Sequence, residues 1–257
     1  VSNPASPGQG AALDAELAQR WFPICGPQDL PEHHVLETAL LGRELAVWRA
    51  SGGRLNVWEN RCPHRGMRLT MGANLGTELR CAYHGYRFAD GSGRCTAVPA
   101  HPGNVPPAAM CARTYPFAEL QGLIWSTLGS APFAPSQRPE GGAPAIALYG
   151  IAVNAAAVRV AQFLPRYEFR LSFSLRDPDR TDEHCATRSI DAFSFESVAV
   201  KHGRSEAVLL YTQPLDAGSS MIHARLFAEL EPERRLPVLR HHAAQLGALR
   251  ILIESPP

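Results

Sequence analysis

The chain reads as two runs of alternating apolar and polar positions on either side of one stretch dense in Pro and Gly. In the first run, Val35 to Leu41, Leu45 to Arg49 and Leu55 to Trp58 predict strands, broken by turns at Gly42-Arg43 and Ser51-Gly52-Gly53. Leu79 to Ala82, Tyr86 to Ala89 and Cys95 to Val98 continue the pattern around a turn at Asp90-Gly91-Ser92-Gly93, and Tyr115 to Glu119 with Gly122 to Ser126 predict closing strands. Ahead of them, Asp14 to Trp21 predicts a short helix, and residues 1–12, rich in Pro, Gly, Ser and Ala, a flexible tail. The linker falls at 130–143. Beyond it Arg166 to Leu175 alternates strictly, Ala186 to Val200 more loosely, and Ala207 to Gln213 and Met221 to Leu230 predict two further strands. Leu236 to Ile253 is apolar at 236, 239, 246, 249 and 252–253, which predicts a helix. The expected fold class is α+β, mostly β, with domains at 13–129 and 144–257.

Composition narrows this little. A chain of 257 residues with 45% hydrophobic residues can bury a core. A net charge of +1 gives no electrostatic reason to expect nucleic acid or an anionic membrane as partner. Arg supplies nearly all the positive charge, Lys201 being the only lysine. No apolar run reaches the length of a membrane span and no basic leader opens the sequence, so a cytoplasmic location is expected.

The chemistry concentrates in Arg61-Cys62-Pro63-His64-Arg65-Gly66 and Cys81-Ala82-Tyr83-His84-Gly85-Tyr86. Each arm carries one thiol and one imidazole, Cys62 two residues before His64 and Cys81 three before His84. Four such ligands satisfy a structural zinc, although zinc sites usually pair Cys with Cys and His with His at short spacing. Mixed arms suit a two-iron, two-sulfide cluster in which two Cys hold one iron and two His the other. Both loops are expected at hairpin tips. Gly66 and Gly85 would let backbone N–H groups approach the sulfides, and Pro63 would stiffen the first loop. The remaining Cys25, Cys95, Cys111 and Cys185 show no paired spacing and read as small buried hydrophobes.

The two arms are similar to the Rieske iron–sulfur motif, and the stretch from about Leu17 to Gly129 resembles the Rieske domain of non-haem iron oxygenases. The resemblance implies a [2Fe-2S] cofactor on Cys62, His64, Cys81 and His84. It implies an electron donor of the ferredoxin or flavin reductase kind and trimer-based oligomers in which one subunit's cluster faces the next subunit's iron. Respiratory Rieske proteins carry an extra Cys in each loop. Arg65, Gly66, Met67, Ala82 and Tyr83 offer none, which favours the oxygenase or ferredoxin branch. The second half resembles, more weakly, the helix-grip catalytic domain of the same oxygenases, with Tyr211 to Gly218 its best local similarity.

One departure from the resemblance is large. Such oxygenases hold a mononuclear Fe(II) on two His and one Asp early in the second domain. Between Gly129 and Pro165 this chain has no His and no Asp, and Ile151 to Leu164 is nearly all small and apolar. Asp182, His184 and His223 are the candidates for a displaced site, with His241 and Asp191 behind them. Asp182-Glu183-His184 looks like a solvated turn, His202 a turn residue, and of His241 and His242 one should face solvent and one should pack. The expectation is therefore an electron-relay subunit with no catalytic iron of its own, serving a partner that hydroxylates or demethylates a hydrophobic substrate. A self-sufficient oxygenase with an atypical iron site and a non-catalytic redox or assembly subunit are the alternatives.

Overall fold

In the computed structural model the described residues are 15–132, 145–170, 172, 184–201 and 204–255. They divide into two compact units near residue 133. The expected tail and linker lie almost entirely outside the described residues.

The first unit opens with a helical stretch at 15–19 and strand β1 (Phe22–Cys25). Strands β2 (Val35–Leu40), β3 (Arg43–Arg49) and β4 (Leu55–Glu59) form an antiparallel meander. Strands β5 (Ala73–Asn74), β6 (Glu78–Arg80), β7 (Arg87–Ala89) and β8 (Cys95–Ala97) form a second sheet, and β1 pairs with β10 (Leu123–Ser126) beside β9 (Phe117–Leu120) in a third. Two of the hairpins turn on two residues with positive φ, Leu41 (50°) with Gly42 (76°) and Gln121 (54°) with Gly122 (69°). That is the turn whose twist matches paired strands. The first turn thus sits one residue earlier than the Gly42-Arg43 expected from sequence, because Leu40 pairs with Arg43.

Val35, Trp48, Trp58, Leu69, Leu79 and Phe88 pack into one core, where Trp48 meets Trp58 edge to face with ring centroids 5.1 Å apart. Cys62 and Cys81 are buried in that same core. Fully burying each such apolar side chain contributes about 1.5–3 kcal/mol, so the ground beneath the two motifs is a well-buried core.

The second unit is built on the antiparallel strands β16 (Ser194–Lys201), β17 (Arg204–Pro214) and β18 (Ser220–Ala228). The short strands β11 (Ala145–Ala147) and β12 (Ile151–Val153) pair with β18, and β15 (Arg188–Ser189) extends the other edge. β13 (Glu168–Arg170) pairs with β14 (His184–Ala186) separately. Helix α1 (Ala157–Phe163) follows β12, and helix α2 (Pro232–Glu254) ends the unit.

Several sequence expectations need correction here. β11, β12 and α1 lie where no element was predicted from sequence, the two strands because runs of three residues are too short to show a period. The single strand expected over Ala186 to Val200 is broken into three, and only Glu168–Arg170 of the Arg166 to Leu175 strand is described as strand. On α2 the buried positions are Val238, His242, Leu246, Leu249 and Ile253, whereas Leu236 and Leu252, part of the apolar spacing that predicts the helix, are 56% and 50% exposed. The helix is apolar on more than one face, so its rotation could not be read from hydrophobicity alone.

Candidate metal centre

The two motifs fold as near copies of one another. Cys62 N–H donates to Met67 O (2.8 Å) and Gly66 N–H to Cys62 O (2.8 Å); Cys81 N–H donates to Tyr86 O (2.8 Å) and Gly85 N–H to Cys81 O (3.1 Å). Each loop is closed on its own cysteine, and each closing glycine has positive φ, 74° at Gly66 and 71° at Gly85. This is where only glycine sits without strain. The N–H groups of the two glycines themselves are spent on the loops' own carbonyls. The backbone N–H groups that reach the Cys62 sulfur belong to His64 and Arg65.

The loops differ in what carries them. The second is the tip of the β6–β7 hairpin, as expected. The first is no hairpin tip: it leaves β4 in one sheet and arrives at β5 in another. It is held by Asn60, fully buried, whose Nδ2 donates to Thr70 Oγ1 (3.0 Å) while Thr70 N–H donates to Asn60 Oδ1 (2.9 Å). Thr70 Oγ1 in turn donates to Glu37 Oε2 (2.9 Å), and Arg68 Nε donates to Glu44 Oε2 (2.9 Å), tying the loop to β2 and β3. Asn60 was not singled out from sequence. Its signal, a buried amide at the mouth of a ligand loop, exists only once burial is known.

The four candidate ligands converge in two pairs. His64 and His84 bring their Nδ1 atoms to 3.2 Å, and the thiol of Cys81 is close enough to that of Cys62 to raise its proton affinity. Two nitrogens bound to a single tetrahedral ion at about 2.0–2.1 Å each lie about 3.3 Å apart, so the imidazoles are spaced to share one metal atom. Burial pushes the Cys62 thiol up to about 11, with Cys81 adding to the rise against N–H donation from His64 and Arg65. Partial burial, then the positive charges of His84 and Arg65, holds His64 below its usual range and so in the neutral form that ligates metal.

The site is one-sided. The thiols are buried, His64 is half-buried with Tyr86 stacked on it (4.3 Å, 18°), and His84 is exposed with Tyr83 stacked on it (3.8 Å, 29°). Of the other cysteines, Cys25 and Cys95 are buried as expected, while Cys111 and Cys185 are only partly so.

The displaced-iron candidates fare differently. Asp182 and His202 lie outside the described residues, and of His184 only the backbone is described. His223 is buried, bonds Gln213 Oε1 (2.7 Å), and is pushed down to about 3 by burial and then by Arg225. Asp191 caps a turn, its carboxylate accepting from Phe193 N–H (2.8 Å). His242 is the packed member of its pair, bonded to the buried Glu206 (3.1 Å), and His241 Nε2 bonds Arg170 O (2.8 Å).

Residues 20–116 match the family described as Rieske [2Fe-2S] domain. Oxidoreductase NdmD of Pseudomonas putida is 54% identical over 116 residues, 45% of this chain and 20% of that protein. The 5,5'-dehydrodivanillate O-demethylase oxygenase subunit of a Sphingobium species is 30% identical over 129 residues, 49% of this chain and 30% of that one. The chain thus spans about a fifth to a third of these relatives. Among solved structures, Pseudomonas putida CBB5 NdmA superposes with TM-score 0.74 over 95% of this chain and 83% of its own, at 19% identity. Dicamba monooxygenase does so with TM-score 0.74 over 93% and 86%, also at 19% identity.

Proposed function

The chain carries a Rieske [2Fe-2S] domain and has the fold of the Rieske non-haem iron oxygenases, and from that premise we propose that it relays electrons within an oxygen-dependent oxygenase system. Cys62 and Cys81 hold one iron, and His64 and His84 hold the other through Nδ1. The observation that carries this reading is the two-and-two pairing of the donors. Once bound, the cluster supplies one-electron storage at a potential above that of all-thiolate ferredoxins.

The residues around it set direction. Burial of the two thiols keeps water from the sulfur side, while the exposed His84 ring leaves an edge open for electron entry or exit. A ferredoxin or flavin reductase delivers the electron. The acceptor is a mononuclear iron on a catalytic partner subunit of a homo- or hetero-oligomer, trimer-based as in the resemblance, and the reaction is hydroxylation or demethylation of a hydrophobic substrate. The stretch 145–164, where an oxygenase of this fold would place its iron-binding helix, contains no His, Asp or Glu, and this favours an acceptor on another chain.

The test is anaerobic purification with iron and sulfide counting, alongside electron paramagnetic resonance of the reduced protein. Two irons and two sulfides per chain are expected, with a signal lost in His84→Ala. A third, isolated iron would move the oxygen chemistry onto this chain. Reconstitution with the catalytic partner should stop when His64→Ala replaces the native chain; unchanged turnover would sink the relay.

A further inference from the structure

We propose that Tyr86 is a positioning residue for His64, a ring carried by the second ligand loop that fixes the imidazole of the first. The inference rests on the ligand assignment made above and adds to it the side chain that aims one of the four donors.

Meeting at one metal atom asks more of an imidazole than of a thiol. A histidine ring turns about χ1 and about a broad, roughly two-fold χ2, whereas His64 must hold its Nδ1 3.2 Å from that of His84. His64 is only half-buried, and its sequence neighbours Pro63 and Arg65 are exposed, so neither walls it in. The wall comes from the other loop. Tyr86 lies face to face with His64, the ring centroids 4.3 Å apart and the planes 18° apart. Tyr86 is itself anchored: it is 9% exposed, belongs to the core of Trp48, Trp58, Leu79 and Phe88, and accepts Cys81 N–H at its carbonyl (2.8 Å). A ring held by such a core has a fixed plane, and an imidazole stacked on it shares that plane. Stacking of two rings favours the paired arrangement by roughly two- to tenfold beyond the burial itself.

The two loops differ at this point and nowhere else in their closure. The place matching Tyr86 in the first loop is held by Met67, whose carbonyl accepts Cys62 N–H (2.8 Å). Met67 packs against the same core, so an unbranched thioether meets the needs of closure and packing there. The ring of Tyr86 is required for neither. His84 also has a ring beside it, Tyr83 at 3.8 Å and 29°. Tyr83, however, is 56% exposed and adjoins His84 in the same loop, so it moves with the imidazole instead of fixing it. His64 is braced across the loops and His84 is not.

The test uses the full chain loaded with its cluster, as wild type and as three variants of the brace. Tyr86→Phe keeps the ring; Tyr86→Met gives the second loop the side chain that the first already carries; Tyr86→Leu is run beside it, so that the outcome does not depend on one replacement folding. Two quantities are read. One is the rate at which an iron chelator bleaches the cluster. The other, from pulsed electron paramagnetic resonance of the dithionite-reduced protein, is the pair of nitrogen hyperfine couplings from the two ligating histidines. Tyr86→Phe should match wild type in both. Tyr86→Met and Tyr86→Leu should bleach roughly two- to tenfold faster and broaden the coupling of one histidine while the other stays sharp. Tyr83→Leu should leave both couplings sharp. Wild-type bleaching with two sharp couplings in Tyr86→Met and Tyr86→Leu overturns the proposal. So does equal broadening of both couplings, the mark of a site loosened as a whole, or a Tyr86→Phe variant that bleaches as fast as Tyr86→Met. A wild-type cluster without any histidine coupling would instead remove the ligand assignment beneath it.

Discussion

The Nδ1 atoms of His64 and His84 meet at 3.2 Å although His64 lies on a loop that bridges two sheets and His84 on a hairpin tip within one of them. The meeting is made possible by two loops of one design, each closed from its fourth and fifth residues after the cysteine. Alanine at either closing glycine pays the positive-φ penalty of roughly 1–2 kcal/mol. At Gly85 a Cβ would also come within 3.2 Å of Pro99, while at Gly66 its nearest neighbour is 3.9 Å away. Gly85→Ala should therefore lose more thermal stability and more iron per chain than Gly66→Ala. Equal losses in both would show that the Pro99 contact does not matter.

Asn60 makes a reciprocal pair with Thr70 inside the core. Truncation leaves the Thr70 N–H unpartnered in a half-buried place, at a cost of about 1 kcal/mol. Asn60→Ala should show that loss in urea unfolding and should shed its visible absorption faster on standing than wild type. A variant that unfolds at the wild-type midpoint would deny the clamp its role.

Leu41 and Gln121 hold left-handed conformations that Asn adopts more readily, each followed by Gly. Leu41→Asn and Gln121→Asn should each raise stability by about 0.5–1 kcal/mol, read as a higher melting temperature. A fall at Leu41→Asn with a gain at Gln121→Asn would mean that the half-buried Leu41 side chain contributes more by packing than it costs in backbone strain.

Two buried groups in the second unit make its stability depend on pH. His223, pushed down to about 3, refuses a proton that the unfolded chain accepts below about 6.5. Its contribution is complete above about pH 6.5 and is lost toward pH 3 at about 1.4 kcal/mol per pH unit. Glu206 is desolvated by burial, but hydrogen bonds from His242 and Ser172 outweigh this and hold its carboxyl below the usual range. Its contribution is present above about 4.3 and fades as pH falls through its lowered value. Chemical denaturation between pH 7 and 4 should show the first slope, and His223→Gln should flatten it. At pH 7, His242→Ala strands the buried carboxylate and should cost about 3–5 kcal/mol.

What could be read from the sequence follows from how local each signal is. Cys62, His64, Cys81 and His84 stand out because ligand type and spacing are written in consecutive residues, and the strands of the first unit because their alternation is bounded by Gly-rich turns. The second unit was read less well. β11 and β12 are three residues each, and their partner β18 lies some 70 residues later. Helix α2 carries apolar side chains on several faces, so its buried line through Val238, His242, Leu246, Leu249 and Ile253 emerges only from packing. Asn60 and Glu206 escaped notice for a related reason. A polar residue becomes structural when its surroundings are dry, and dryness is a property of the whole fold.

The first ligand loop runs from the sheet of β2, β3 and β4 to the sheet of β5, β6, β7 and β8, and the second loop belongs wholly to the latter. With the ligands as proposed, the irons act as a rivet through two plates, and the energy of seating them becomes energy of assembly. A chain starved of iron keeps both plates but loses the fastening between them, so trypsin should cut it first at Arg61, Arg65 and Arg68. Iron supply then governs how long the polypeptide survives as well as whether it can carry electrons.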